Sequence, residues 1–176
     1  MQTAPNHEIV FTAWWREHRG IFLKTARAFT TSSADEDDLV QEMLMQLWRS
    51  LPSFRAQCQP STWIYRVCLN TAFTWKRGEK RRLLRVTPAE SAADNEPCAQ
   101  PPPSTSHERA DQLDALYAAI RSLPASERSL VLLLLDGLSY RDISEITGLT
   151  ENHVGVALTR ARKKLTELLK EVCHEL

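Results

Sequence analysis

The stretch from Gly137 to Leu165 leaves few folding options, because it carries the start and stop signals of two helices joined by one tight turn. Ser139-x-x-Asp142 marks the first start: the serine hydroxyl caps a free backbone N–H, and the carboxylate sits near the positive helix end. Gly148 ends that helix and supplies a residue free to take positive φ. Ser144, Gly148 and Val154 then provide a small side chain where the helices touch, the turn itself, and a branched apolar anchor on the second helix. Ile143, Ile146, Leu149 and Leu158 complete a shared core, and Thr150 is a good N-cap for the second helix. The second helix runs into Arg160-Ala161-Arg162-Lys163-Lys164, whose four cations in five residues suit phosphates. An ordinary helical hairpin with a solvated basic tip has the same periodicity. It does not require the caps, the small residue and the turn glycine to coincide, so the stretch reads as a helix-turn-helix.

The 176 residues suffice for one large domain or two small ones, and 43% hydrophobic content can supply a core in either case. Formal net charge is zero, which argues against a general polyanion binder. The charges are nevertheless segregated, with Asp35, Glu36, Asp37, Asp38 and Glu42 in one block and Lys76, Arg77, Lys80, Arg81, Arg82 and Arg85 in another. No run of about 18 apolar residues occurs, and the polar start Met1 to His7 does not resemble a signal peptide; a cytoplasmic protein without membrane insertion is expected. Cys58, Cys68, Cys98 and Cys173 contain no CxxC pair and are read as free thiols. Cys173-His174 lacks companions for a four-ligand Zn²⁺ site, so neither metal nor cofactor is expected.

Residues 8–30 place Ile9, Val10, Phe11, Trp14, Trp15, Ile21, Phe22, Ala26 and Phe29 at helical spacing, with a break expected around Gly20. A polar turn at 31–36 precedes a helix expected over Asp37 to Leu51, ended by Pro52. Its apolar set, Leu39, Val40, Met43, Leu44, Leu47, Trp48 and Leu51, covers more than one stripe. Either burial is thick or part of the set meets a partner. After a loop, Ser61-Thr62 is expected to cap a third helix running into the basic block that ends at Arg85. There Trp63, Tyr65, Phe73 and Trp75 alternate with Arg66, Lys76, Arg77, Lys80 and Arg81, the mixture that single-strand binding uses when bases stack on rings and cations follow the backbone. Buried rings beside solvated cations are the alternative, and Leu69 and Phe73 sharing one face favours it for Phe73.

Residues 86–106, with Pro88, Pro97, Pro101 to Pro103 and acidic Glu90, Asp94 and Glu96, read as an extended, mildly acidic, flexible linker. The expected architecture is all-α: two small helical domains, residues 1–85 and 107–176, joined by that linker. The second opens with a helix over 107–122, followed by one from Pro124 to Asp136 whose Leu130 to Leu135 are apolar all round.

This order of parts resembles the extracytoplasmic-function (ECF) group of bacterial RNA polymerase sigma factors, which retain two domains called region 2 and region 4. The resemblance rests on Asp38-Leu-Val-Gln-Glu42 with Leu47-Trp48, then Trp63-Ile-Tyr-Arg-Val-x-x-Asn70, then Leu123-Pro124 with Gly137-Leu-Ser-Tyr-x-x-Ile143, and finally Val154 with Arg160-Ala-Arg162. It covers roughly residues 10–85 and 107–170 and omits the linker. Each piece alone is weak; their order and spacing together are specific.

The resemblance implies a transcription initiation factor that binds core RNA polymerase and directs it to promoters, with no catalysis of its own. Asp38, Gln41 and Glu42 would meet the β′ clamp helices, with Trp48 packed beside them, and the β subunit would be a further contact. Gln59, Ser61, Trp63, Arg66 and Asn70 would lie near the unpaired strand of the −10 element, and Lys76, Arg77, Lys80 and Arg81 near its phosphates; flipping bases costs a few kcal/mol that the pocket must return. At the −35 element, Glu151, Asn152 and His153 would approach base edges while Arg160, Arg162 and Lys163 hold the backbone. Gly155-Val156-Ala157 departs from the commoner pattern of Lys or Arg there, which removes Arg-to-guanine contacts and leaves thymine-methyl contacts or weaker binding. The linker would thread toward the RNA exit path. Mutual packing of the domains, or an anti-sigma factor, would cover both DNA surfaces in the free protein.

Two other classes compete. A dimeric helix-turn-helix transcription regulator would need a dimer seam, and no sustained heptad is present. A metal-dependent nuclease would need ligands converging on Asp35 to Glu42, but no His or second carboxylate cluster stands at ligand spacing, and acidic helix starts are common for dipole reasons alone.

Overall fold

The computed structural model describes residues 4–85 and 105–174, with side chains described for 7–79 and 111–169. The linker stretch 86–104, Cys98, and the side chains of Lys80, Arg81, Arg82, Arg85, Cys173 and His174, for which the sequence sets expectations, lie outside the described residues. Every regular element among the described residues is helical.

Helix α1 spans Ala4–Phe29 without the break expected at Gly20. A mid-helix glycine costs only about 0.5–1 kcal/mol, which burial of Trp14, Ile21 and Phe22 on either side of it readily offsets. Helix α2, Ser33–Ser50, begins before the expected Asp37 because Ser32 is the N-cap, its hydroxyl accepting from the Asp35 N–H at 3.1 Å. A 3-10 turn over Leu51–Ser53, containing Pro52, closes it. Helix α3, Pro60–Arg85, starts with its proline, so Ser61 and Thr62 lie within the first turn rather than capping it. These three helices enclose Phe22, Phe29, Leu39, Met43, Leu47, Ile64 and Cys68, all essentially inaccessible to solvent. Each such aliphatic or aromatic side chain contributes roughly 1.5–3 kcal/mol on burial.

The second unit comprises α4 (Thr105–Ser122), α5 (Ala125–Leu135), α6 (Tyr140–Thr147) and α7 (Glu151–His174). Pro124 occupies the N-cap position of α5 rather than its first turn. Leu130 to Leu133 are buried, so α5 is the centre of this unit, but Leu134 is only partly covered and Leu135 is exposed. The α6–turn–α7 segment follows the expected signals. Ser139 and Asp142 form a reciprocal capping box, and the hydrogen bonds from Ser139 hold the Asp142 carboxyl below the usual carboxylate range. Gly148 caps α6 at φ 74°, the Ser144 hydroxyl donates to the Leu149 carbonyl, and Thr150 accepts from the His153 N–H at 3.3 Å. Gly148→Val should therefore cost at least about 1–2 kcal/mol, because a branched side chain is strained in the left-handed region. Urea unfolding at equilibrium checks this; an unchanged midpoint would contradict it.

The two units pack against each other, α1 against α4 and α5, and α3 against α6. Polar groups knit the seam. Lys24 and the Tyr65 hydroxyl, the latter at 2.6 Å, both bond Asp136, whose side chain is 11% exposed. Arg27 pairs with Asp114 and lies 4.7 Å over the Tyr117 ring, and Arg121 donates to the Arg27 carbonyl at 3.2 Å. Arg128, 6% exposed, donates to the Ala28 carbonyl at 3.1 Å and stands 5.0 Å over the Phe29 ring.

Candidate functional site

Three surfaces carry the residues singled out in the sequence. On α2, Asp38, Gln41 and Trp48 are all exposed and fall three and seven residues apart, along one helical stripe. Trp48 is 47% exposed, with its ring edge-on to Phe11 at 5.2 Å. Met45, 45% exposed, completes the stripe between Gln41 and Trp48. The sequence reading passed over Met45, although its spacing of four from Gln41 and three from Trp48 marks it as a member. Glu42 departs from the stripe: it is partly covered, accepts from the Gln46 amide at 2.7 Å, and lines a groove between α2 and α3 with Asn70, Thr74 and Trp75.

The second surface is divided. Gln59 and Ser61 border a cleft beside Lys24, Tyr65 and Asp136 at the seam, Trp63 and Arg66 border another with Phe54, Cys58 and Glu145, and Asn70 belongs to the α2–α3 groove. Trp63 is half-buried, with its indole N–H 3.4 Å from the Ser50 hydroxyl and its ring edge-on to Phe54 at 5.6 Å. Arg66 donates to the Glu145 carbonyl of α6 at 2.6 Å. Of the other rings in the single-strand reading, Tyr65 is buried, as the buried-ring alternative requires, while Phe73, edge-on to Phe29 at 5.8 Å, and Trp75 are each half-buried. Burial, reinforced by the bond to Asp136, pushes the Tyr65 phenol well above its ordinary value. Further along α3, Lys76 pairs with Glu79 at 2.8 Å, and Arg77 folds back onto the Phe73 carbonyl at 3.3 Å and the Thr74 hydroxyl at 3.1 Å.

The third surface is the start of α7. Glu151, Asn152 and Arg160 border a shallow depression with Tyr140, Gly155, Val156 and Thr159. His153, Arg162 and Lys163 are exposed around its flank, whereas Lys164 is tied to Glu127 at 2.8 Å. Val154, Leu158 and Ala161 fill the opposite, buried face. Cys58 and Cys68 are free, and burial raises the Cys68 thiol far enough to keep it protonated. Among the described residues no His, Cys, Asp and Glu side chains group as a metal site, and no helix is long and apolar enough to cross a membrane.

The family profile described as Sigma-70 region 2 matches residues 14–82, and that described as Sigma-70, region 4 matches residues 113–165. The ECF RNA polymerase sigma-E factor of Escherichia coli K12 is 30% identical over 141 residues, spanning 76% of this chain and 73% of the relative. The chain belongs to the ECF sigma factors. The ECF sigma factor SigM of Mycobacterium tuberculosis is 26% identical over 163 residues, covering 90% of this chain and 76% of the relative. Two solved structures share the fold. CnrH, in complex with the cytosolic domain of CnrY, has a TM-score of 0.65 at 19% identity and covers 93% of this chain and 90% of that one. The sigma factor RpoE of Bartonella quintana, in complex with the anti-sigma factor NepR, has a TM-score of 0.64 at 22% identity, covering 90% and 97%. This ECF sigma factor is thus a DNA-binding, promoter-directing transcription factor, and the dimeric regulator is not favoured. Its region 2 match contains the first two surfaces and its region 4 match the third.

Proposed function

We propose that the protein acts in the cytoplasm, captures core RNA polymerase through α2, and carries it to promoters that its two units read at separate elements, without catalysis of its own. Residues 1–85 form the polymerase- and −10-binding domain, 86–106 the linker, whose last two residues already begin α4, and 107–176 the −35-binding domain. The observation that carries the reading is the α2 stripe of Asp38, Gln41, Met45 and Trp48, which keeps large apolar and acidic groups exposed on a helix whose other faces are packed. Such a mixture suits a protein partner better than bulk water. Asp38, Gln41 and Trp48 contact the β′ clamp helices, with Glu42 at the margin toward α3; the β subunit contacts the remainder. Trp63 and Arg66 serve the unpaired −10 strand, together with Gln59, Ser61 and Asn70, while Lys76, Arg77, Lys80 and Arg81 follow its phosphates. Glu151, Asn152 and His153 face the −35 bases, and Arg160, Arg162 and Lys163 the backbone.

Arg66 is held by Glu145 in the arrangement described, so its use on DNA requires α3 and α6 to part. The packed arrangement is the free state, and an anti-sigma factor is the partner that prolongs it. Capture of core polymerase by the purified chain tests the function. Wild type should bind stoichiometrically, and Asp38→Ala combined with Gln41→Ala, both exposed on the stripe, should lose at least about tenfold in affinity, the equivalent of roughly 1.4 kcal/mol, with little change in thermal unfolding. No capture by the wild-type chain would overturn the proposal.

A further inference from the structure

The exposed face of α7 presents a row that general phosphate binding does not need. Asn152, Val156 and Arg160 follow one another at intervals of four residues, so their Cβ atoms succeed one another by about 6 Å along the helix. Between them the surface is apolar and low. Gly155 has no side chain, and a Cβ built on it would stand 3.4 Å from Cε2 of Tyr140, so the tyrosine ring already occupies the space beside it. Val156, 46% exposed, lines the same depression as Tyr140 and Gly155. Neither Val156 nor Gly155 offers a hydrogen-bond donor from its side chain. The cations Arg160, Arg162 and Lys163 stand toward the C-terminal side, where a helix entering the major groove by its N-terminal end meets the backbone.

In the major groove thymine is distinguished by its C5-methyl and adenine by an acceptor and donor that a carboxamide pairs with in bidentate fashion. Resting on the −35 reading above, we infer that α7 reads A·T pairs: Val156, beside the Tyr140–Gly155 shelf, packs against a thymine methyl, and Asn152, one turn nearer the N-terminus, pairs with an adenine of the same element. Gly155 keeps the backbone low enough for that approach, and Val156 is the residue that sets specificity at its position.

The test uses the full chain with core polymerase in run-off transcription. Templates carrying randomised −10 and −35 segments are first selected for transcription, and each −35 thymine is then replaced singly by deoxyuracil, which removes only the methyl group. One replacement should reduce initiation about fourfold, the effect of losing burial of one methyl, and Val156→Ala should abolish the difference between thymine and deoxyuracil there. Val156→Arg should move the preferred base at that position to guanine. Initiation that depends on the −35 segment but is indifferent to every deoxyuracil, or a methyl effect that survives Val156→Ala, would overturn the inference while leaving the sigma function intact. Failure of all templates with polymerase and the wild-type chain would overturn both.

Discussion

Arg128→Met is expected to lower unfolding stability by about 3 kcal/mol, a large loss for a single substitution. The guanidinium is nearly inaccessible and donates to the carbonyls of Ala28, Arg121 and Leu123, joining the end of α1 to the corner between α4 and α5. Burial, with Arg121 nearby, pulls its pKa below the ordinary arginine value, so the cation is held there against a desolvation cost. The three carbonyls on its terminal nitrogens and the Phe29 ring offset part of that cost, while the buried Nε has no hydrogen-bond partner. Methionine keeps much of the length of the side chain but leaves those acceptors without their donor, at roughly 1–3 kcal/mol for each that stays dry. For a chain of this size the melting temperature should fall by roughly 6–12 °C, and calorimetry should show the single transition separating into two as the units uncouple. A melting temperature unchanged within error would show that the buried arginine contributes nothing to the seam.

Asp136→Ala is expected to cost about 2 kcal/mol and to let the two units part. Its carboxylate accepts the Tyr65 hydroxyl across the seam, and alanine would leave that phenol buried with its donor unpaired. Lys24 contributes less, because its side chain is half exposed and water screens the pair. Small-angle scattering should show a larger radius of gyration than wild type, while Lys24→Ala should leave it nearly unchanged. Identical scattering from wild type and Asp136→Ala would sink this account. The seam also has a pH limit. An unfolded tyrosine releases its proton near 10, whereas Tyr65 in the fold holds its proton to higher pH. The unfolded chain therefore binds fewer protons above pH 10, and stability should decline as pH rises past that point. Tyr65→Phe should flatten this alkaline limb.

Much of the local structure was legible in advance because it depends on neighbours in the chain. The capping box at Ser139 and Asp142, the turn at Gly148 and the Thr150 cap are interactions within four residues, and the helix-turn-helix follows them closely. On α2, Asp38, Gln41, Glu42 and Trp48 came from the family resemblance and not from local spacing; Glu42 proves partly covered, and Met45 was passed over because its apolar side chain did not distinguish an exposed position from a buried one. The helix starts at Ser33 and Pro60 differ from expectation by a few residues because several adjacent polar residues could cap, and the surrounding packing selects among them. The aromatic residues of α3 were ambiguous, since a ring serves equally well to stack on a base or to fill a core.

The sequence alone determined the all-helical class, the helix-turn-helix, the opposed acidic and basic blocks and the ECF resemblance, all of which rest on spacing within single elements and on the order of those elements. Only the tertiary structure decided that Tyr65 and Asp136 meet across 71 positions, that Lys24 joins them across 112, that Arg66 is engaged by the helix-turn-helix, and that Arg128 is buried against the end of α1. Helical periodicity tells which face of a helix is apolar, but a polar side chain is stable in the interior only where a distant partner satisfies it, and three-dimensional packing supplies that partner.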